Sequence, residues 1–225
     1  MDAQIGHVTG LPMLRERGTP LPLYTTDAVW NDLSTGFPIT SILSHYCGVE
    51  HRRIALDGEA LSVPELPHVR IDALPLSSKA SLIRRIVMHR KPATTSASCS
   101  LTNRITNVSN GKRAFYAPGL CELEPHILQA MHQADLLLVD GTVWTDDEII
   151  RLGLAKKTSK DMGHLAQSGA SDMIEVLESI DRADGRKVLI HINNTNPILI
   201  EDGPERRMLT ERDIEVAHDG MSFER

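Results

Sequence analysis

The sequence predicts an α/β protein with partly parallel strand pairing. Two apolar segments carry that reading, Asp135–Val139 and Lys187–Ile192, each preceded by a helix-like stretch and followed by turn residues, Asp140-Gly141-Thr142 and Asn193-Asn194-Thr195-Asn196-Pro197. A strand that reads as a continuous apolar run is buried on both faces, and two such strands joined through a helix pair in parallel.

The elements follow in order. Leu11–Arg17 allows a helical turn or two, and Leu21–Thr25, bounded by prolines, reads as a short strand. Thr26 or Asp27 caps a helix through Ala28, Val29, Trp30 and Leu33, which Gly36 and Pro38 stop. Strands are predicted over Glu50–Leu56 and His68–Leu74, with a turn at Asp57-Gly58-Glu59 between them. Residues 77–104 keep no period and contain the polar tract Ser96–Ser100, so they read as a loop or as misplaced sequence. Order returns with a turn and strand over Gly111–Ala117. A helix over Glu124–Gln133 leads into the first apolar strand, and a helix over Asp172–Ile180, capped by Ser171, leads into the second.

Composition narrows the function classes. The 225 residues are enough to bury a substantial core without staples, and three scattered cysteines, Cys47, Cys99 and Cys121, fit neither a disulfide framework nor a four-cysteine zinc knot. A formal charge of -6 with dispersed Lys and Arg argues against a nucleic-acid surface. The longest apolar runs fall far short of a membrane span, and no signal peptide is visible, so membrane insertion is not expected and the cytoplasm is the expected compartment.

Candidate chemistry gathers where polar residues meet strand ends. Asp140 and His191 sit at the C-terminal ends of the two apolar strands, where layered α/β proteins build their sites. Asp2, Gln4 and His7 lie in the opening corner, and His164 in the loop Met162-Gly163-His164. Carboxylates and neutral imidazoles of this kind bind zinc or iron. Plainer readings stand beside this. His191 alone reads as a core histidine bonded to backbone, Asp140 as a turn cap, and the Asn-rich string as turn chemistry. Asp146, Asp147 and Glu148 read as a solvated helix start, Cys121 as an inert thiol, and His45, His51, His68 and His126 as residues without a role.

Six strings in order then carry a resemblance: Asp2–Leu11, Thr35–Pro38, Phe115–Leu120, Leu138–Thr142, Met162–His164 and His191–Leu199. Together they resemble the coenzyme PQQ synthesis protein B family, within the metallo-β-lactamase superfamily. The resemblance implies a single metallo-β-lactamase-like αββα sandwich over residues 1–225. It implies a role in making pyrroloquinoline quinone (PQQ), either as an iron-dependent hydroxylase of the Tyr-derived ring of the crosslinked precursor or as a carrier that moves the cofactor or precursor toward the periplasm. Asp2, His7, Asp140 and His191 are the implied metal ligands, with iron(II) the implied metal and zinc the alternative. Gln4, His164, Asn194 and Asn196 are the implied outer residues that orient ligands or touch substrate. Partners are the small, dipeptide-like precursor and other PQQ biosynthesis proteins, and the resemblance admits a homodimer.

Two departures accompany it. Family members carry strands ahead of the corner at Asp2, so the fold is expected to be incomplete at its N-terminus, and Gly6 stands where the family places an Asp. Across residues 77–104 the family string is missing, yet back-translation read in a second frame gives Pro-Tyr-Ser-Pro-His-Arg-His-Ala-Pro-Gln-Ala-Gly-Asp-Asn-Ile-Gly-Leu-Val-Leu. A frameshift entering near Ser81 and restored before Arg104 is expected, with loss of a His and an Asp-Asn pair from the site and little or no hydroxylase activity.

Overall fold

The computed structural model describes residues 5–16, 18–56, 58–78, 98–169, 173–180 and 185–223. The chain forms two compact units, Met1–Leu61 with Ala73–Leu101, and Ser62–Asp72 with Thr102–Arg225.

In the first unit, helix α1 (Ile5–Val8) and a 3-10 turn (Leu11–Leu14) precede strand β1 (Leu21–Thr25). Helix α2 (Asp27–Asn31) starts at Thr26, whose hydroxyl accepts from the Val29 N–H, as predicted, and runs on as a π-helical turn over Asp32–Gly36. Helix α3 (Ile39–Leu43) leads to β2 (Val49–Arg53), which pairs with β1 in parallel. Val8, Leu21, Val29, Leu33, Ile39 and Leu43 form one core cluster.

A seven-stranded sheet runs in the order β3 (Leu61–Ser62), β4 (Val69–Ser78), β5 (Ser98–Asn107), β6 (Arg113–Ala117), β7 (Leu136–Asp140), β8 (Arg186–Ile190), β9 (Ile214–Val216). Strands β6 to β9, all in the second unit, pair in parallel, and β5 is antiparallel to β6. Each parallel step needs a crossover: α4 (Pro125–His132) joins β6 to β7, and α8 (Pro204–Glu211) joins β8 to β9. Between β7 and β8 lie α5 (Glu148–Arg151), α6 (Ser159–Met162) and α7 (Met173–Ser179). Phe115, Ala117, Val139, Leu189, Ile127, Met131 and Leu177 are buried from water and build the core of this unit.

Several expectations shift. Residues 77–104 were expected to be irregular, but their ends are strand: Thr102 is buried and its hydroxyl donates to the Tyr116 carbonyl, and Asn103 to Thr106 pair with β6. Pairing supplies there what periodicity does not show. The second apolar strand stops at Ile190, two residues short of the prediction, because the Ile190 carbonyl accepts from the Gly141 N–H and His191 turns away with φ +54°. The expected cap Ser171 and the expected first helical residue Asp172 lie outside the described residues, as do residues 79–97, where most of the expected frameshift falls.

Candidate metal centre

Strand register assembles the site. Asp140, the last residue of β7, pairs with Ile190, the last of β8, so His191 follows directly beside it. Gly141 allows this closeness: a Cβ there would stand 2.9 Å from Leu189 Cβ and 3.0 Å from the Ile190 carbonyl.

The Asp140 side chain is fully buried and each oxygen has two donors near it. Oδ1 accepts from the Thr142 N–H at 3.1 Å and the Thr142 hydroxyl at 2.5 Å; Oδ2 accepts from the Leu120 N–H at 3.0 Å and faces His164 Nδ1 at 2.7 Å. Asp140 thus caps its turn, as the plainer reading held, and also aims at an imidazole. That full set of partners is what permits burial of a carboxylate.

His164 arrives from α6. Thr158 and Asp161 form a capping box that starts the helix, and Gly163 with φ +101° ends it, so that the His164 N–H returns to the Ser159 carbonyl at 3.0 Å. Leu165 then bonds the Leu120 carbonyl at 2.7 Å, holding this loop beside the end of β6. The His164 and His191 rings stack with centroids 5.3 Å apart and 19° between planes. His191 Nδ1 lies 2.9 Å from Thr142 Oγ1 and 4.0 Å from Asp140 Oδ1, and its side chain keeps 33% of its surface in solvent.

Outer residues hold the turns. Asn196, buried, donates to the Gly141 carbonyl at 2.8 Å and accepts from the Ile198 N–H. Gln167 donates to the Asp140 carbonyl at 2.8 Å. Asn194 is exposed; its backbone N–H bonds Asn193 Oδ1. Glu148 corrects the solvated-helix reading: it is buried, and accepts from the Trp144 N–H and the Thr195 hydroxyl, both at 2.6 Å. The acidic triplet hid this because Asp146 and Asp147 are indeed exposed. Thr142, Glu148 and Gln167 escaped sequence reasoning; only the short spacing of Asp140 and Thr142 around a glycine hinted at the first.

Among the described residues, the grouping able to hold a metal is Asp140, His164 and His191, with one ligand atom from each within 4.8 Å of the others. Ligand atoms on one ion with bonds of about 2.0–2.2 Å stand at most about 4.4 Å apart, so the side chains must draw closer together to share an ion. Two imidazoles and one carboxylate also suit iron(II), with positions left over for other ligands. His164, expected among the outer residues, belongs to this group. His7 is exposed in α1 of the first unit, and Asp2 and Gln4 lie outside the described residues. A cavity of about 320 Å³ lies against His164, and its lining includes Leu165 and Ala166, Lys160, and the carboxylates Asp146 and Asp147.

A mixed α/β fold with Asp and His gathered at the C-terminal ends of adjacent strands is the arrangement of the metallo-β-lactamase class, and the family profile of the beta-lactamase superfamily domain matches residues 1–192. Within that class, the chain belongs to the coenzyme PQQ synthesis protein B family. It is 50% identical over 223 residues to the coenzyme PQQ synthesis protein B of Cupriavidus necator, covering 99% of this chain and 71% of that protein. The protein of the same name from Methylococcus capsulatus is 46% identical with the same coverage. Among solved structures, zinc-bound PqqB from Methylobacterium extorquens superimposes with a TM-score of 0.81 at 31% identity, over 99% of this chain and 71% of that one. A diphosphatase of the PhnP family shares the fold at a TM-score of 0.59 and 15% identity, over 98% of this chain and 66% of that one.

Proposed function

We propose that this chain belongs to the pathway that makes pyrroloquinoline quinone, as a metal-dependent hydroxylase of the Tyr-derived ring of the crosslinked precursor. One observation carries the reading: a carboxylate and two imidazoles, Asp140, His164 and His191, converge at the ends of β7 and β8 in a chain of this family. Iron(II) bound there would supply the chemistry with dioxygen. The chain's own residues do the rest. Asp140 orients His164, and the partly exposed His191 marks the side from which a small molecule reaches the group. The cavity beside His164, of a size suited to small-molecule sites, offers the apolar side chains of Leu165 and Ala166 for a ring, and Lys160 for a carboxylate, beside Asp146 and Asp147.

We further propose that residues 82–100 carry a shifted reading of the family string, so that the chain as written has little activity. Complementation of a strain that lacks the family protein tests both statements. The chain as written should support little PQQ, and a version with the second frame restored between Ser81 and Arg104 should support more. The restored version should lose hydroxylation of the purified precursor on chelation. Precursor binding that survives chelation with no hydroxylation at any metal load would favour a carrier instead.

A further inference from the structure

Gln167 is fully buried and bonds the chain on both sides of Gly141-Thr142. Its side-chain Nε2 donates to the Asp140 carbonyl at 2.8 Å, and its backbone N–H donates to the Val143 carbonyl at 3.1 Å. The first of these bonds stands where the sheet lacks a rung. Strand β6 ends at Ala117, opposite Val139, so no β6 residue pairs with Asp140. The Gly141 N–H turns to β8 and meets the Ile190 carbonyl; the Asp140 carbonyl belongs to the same trans peptide unit and points the other way, toward the place β6 has left. A buried carbonyl without a donor is costly, and Gln167 supplies the donor from outside the sheet.

The amide carries a second group with it. A carbonyl only accepts, so it is Nε2 that faces Asp140 and Oε1 that points away. Among the described residues Gln167 Oε1 has no hydrogen-bond partner, although it is buried. A side chain serving stability alone would be apolar here, because a buried acceptor without a donor is destabilising. The segment that holds Gln167 also brings a member of the metal group. His164 Nδ1 faces Asp140 Oδ2 at 2.7 Å, and Leu165 donates to the Leu120 carbonyl at 2.7 Å while the Leu120 N–H donates to the same Asp140 oxygen at 3.0 Å. We infer that Gln167 is a positioning residue of the metal centre: by fastening residues 164–167 to the end of β7 it fixes the Asp140 carboxylate and the His164 ring relative to each other. The inference rests on the metal-centre reading for its effect on affinity, whereas the placement of the carboxylate is measurable without metal.

Gln167→Met tests it, since methionine has a similar length, lacks both amide atoms and keeps the backbone bond to Val143. The Leu120 and Thr142 N–H groups both donate to the Asp140 carboxylate, so their hydrogen exchange in the metal-free protein reports where it sits. Both should exchange about 2–10-fold faster in Gln167→Met, while the Val188 and Leu189 amides of β8 keep the rate of the unmodified protein. Cobalt(II) should bind the variant about 10-fold or more weakly. Unchanged exchange at Leu120 and Thr142, or an equal acceleration at all four amides, overturns the inference. Cobalt affinity that is lost in His164→Ala but unchanged in Gln167→Met also overturns it and leaves the metal reading standing. Selective acceleration in a protein that binds no cobalt upholds the role of Gln167 and removes the metal reading. Should Gln167→Met fail to fold, the unmodified protein decides: scalar coupling across the hydrogen bond from Gln167 Nε2 to the Asp140 carbonyl carbon is expected, and its absence overturns the inference.

Discussion

Glu148 accepts the Thr195 hydroxyl at 2.6 Å, and through it the loop after β7 is tied to the loop after β8. The same carboxylate takes the Trp144 N–H at 2.6 Å, and Thr195 in turn accepts from the Asn193 amide at 2.8 Å. One buried acidic side chain thereby spans the two turns that present Asp140 and His191. Glu148→Ala leaves a half-buried N–H and a half-buried hydroxyl without their acceptor, at a cost of about 1–3 kcal/mol. Urea denaturation should show that loss, and cobalt(II) affinity should fall with it. Unchanged stability would mean that water replaces the carboxylate.

Gly141 should tolerate no side chain. A Cβ at 2.9 Å from Leu189 Cβ and 3.0 Å from the Ile190 carbonyl meets strand backbone and the root of a core residue, neither of which yields cheaply. Gly141→Ala is expected to destabilise by about 1–3 kcal/mol, as overpacking does. The displaced turn should also weaken metal binding, which separates this variant from one that only loosens the core.

Metal binding should stabilise the fold by mass action. At a free metal concentration one hundred times Kd the gain is about 2.7 kcal/mol, so cobalt(II) should raise the melting temperature and a chelator should reverse the rise. His191→Ala and His164→Ala should each abolish most of that shift. A shift that persists in both variants would place the metal elsewhere.

Acid should act through an ion pair far from the site. The Arg186 guanidinium bonds Glu215 at 2.7 and 2.8 Å and holds its carboxyl below the usual carboxylate range, against the opposing effect of partial burial. A carboxylate whose folded pKa is depressed contributes stability above its unfolded value, about 4.3, and that contribution disappears as pH falls through the folded value. Both partners are partly exposed, so the contribution stays under about 1 kcal/mol. Glu215→Gln should therefore be slightly less stable at pH 7, and the difference should shrink as the pH falls below the unfolded value and disappear once it passes the lower folded value.

Much of the arrangement was legible in local sequence because it rests on local causes. Strand β1 spans Leu21–Thr25 as predicted, α2 is capped by Thr26, and α4 fills all but the two capping positions of the predicted Glu124–Gln133 segment. Strand β7 is offset by one residue from its prediction. Apolar runs and caps are read from neighbours a few residues apart, and these elements use little else. Short elements were missed for the opposite reason. Strand β9, of three residues, exists because it pairs with β8, and α6 is a single turn closed by the Thr158 box, whereas the start of α5 was legible in its acidic triplet.

For the site, the sequence by itself determined where along the chain the candidate residues stand: Asp140 and His191 at the ends of two apolar strands, and His164 in a glycine-marked loop. Only the tertiary structure decided that these three meet and that Thr142 lies between them. Parallel register brings Asp140 level with Ile190 across 50 positions of sequence, and a helix C-cap swings His164 to within 2.7 Å of the carboxylate. Hydrogen bonds of that kind depend on distances between strands and loops, which no spacing along the chain encodes, so the same Asp-Gly-Thr that reads as a turn becomes the centre of the group only once the sheet has formed.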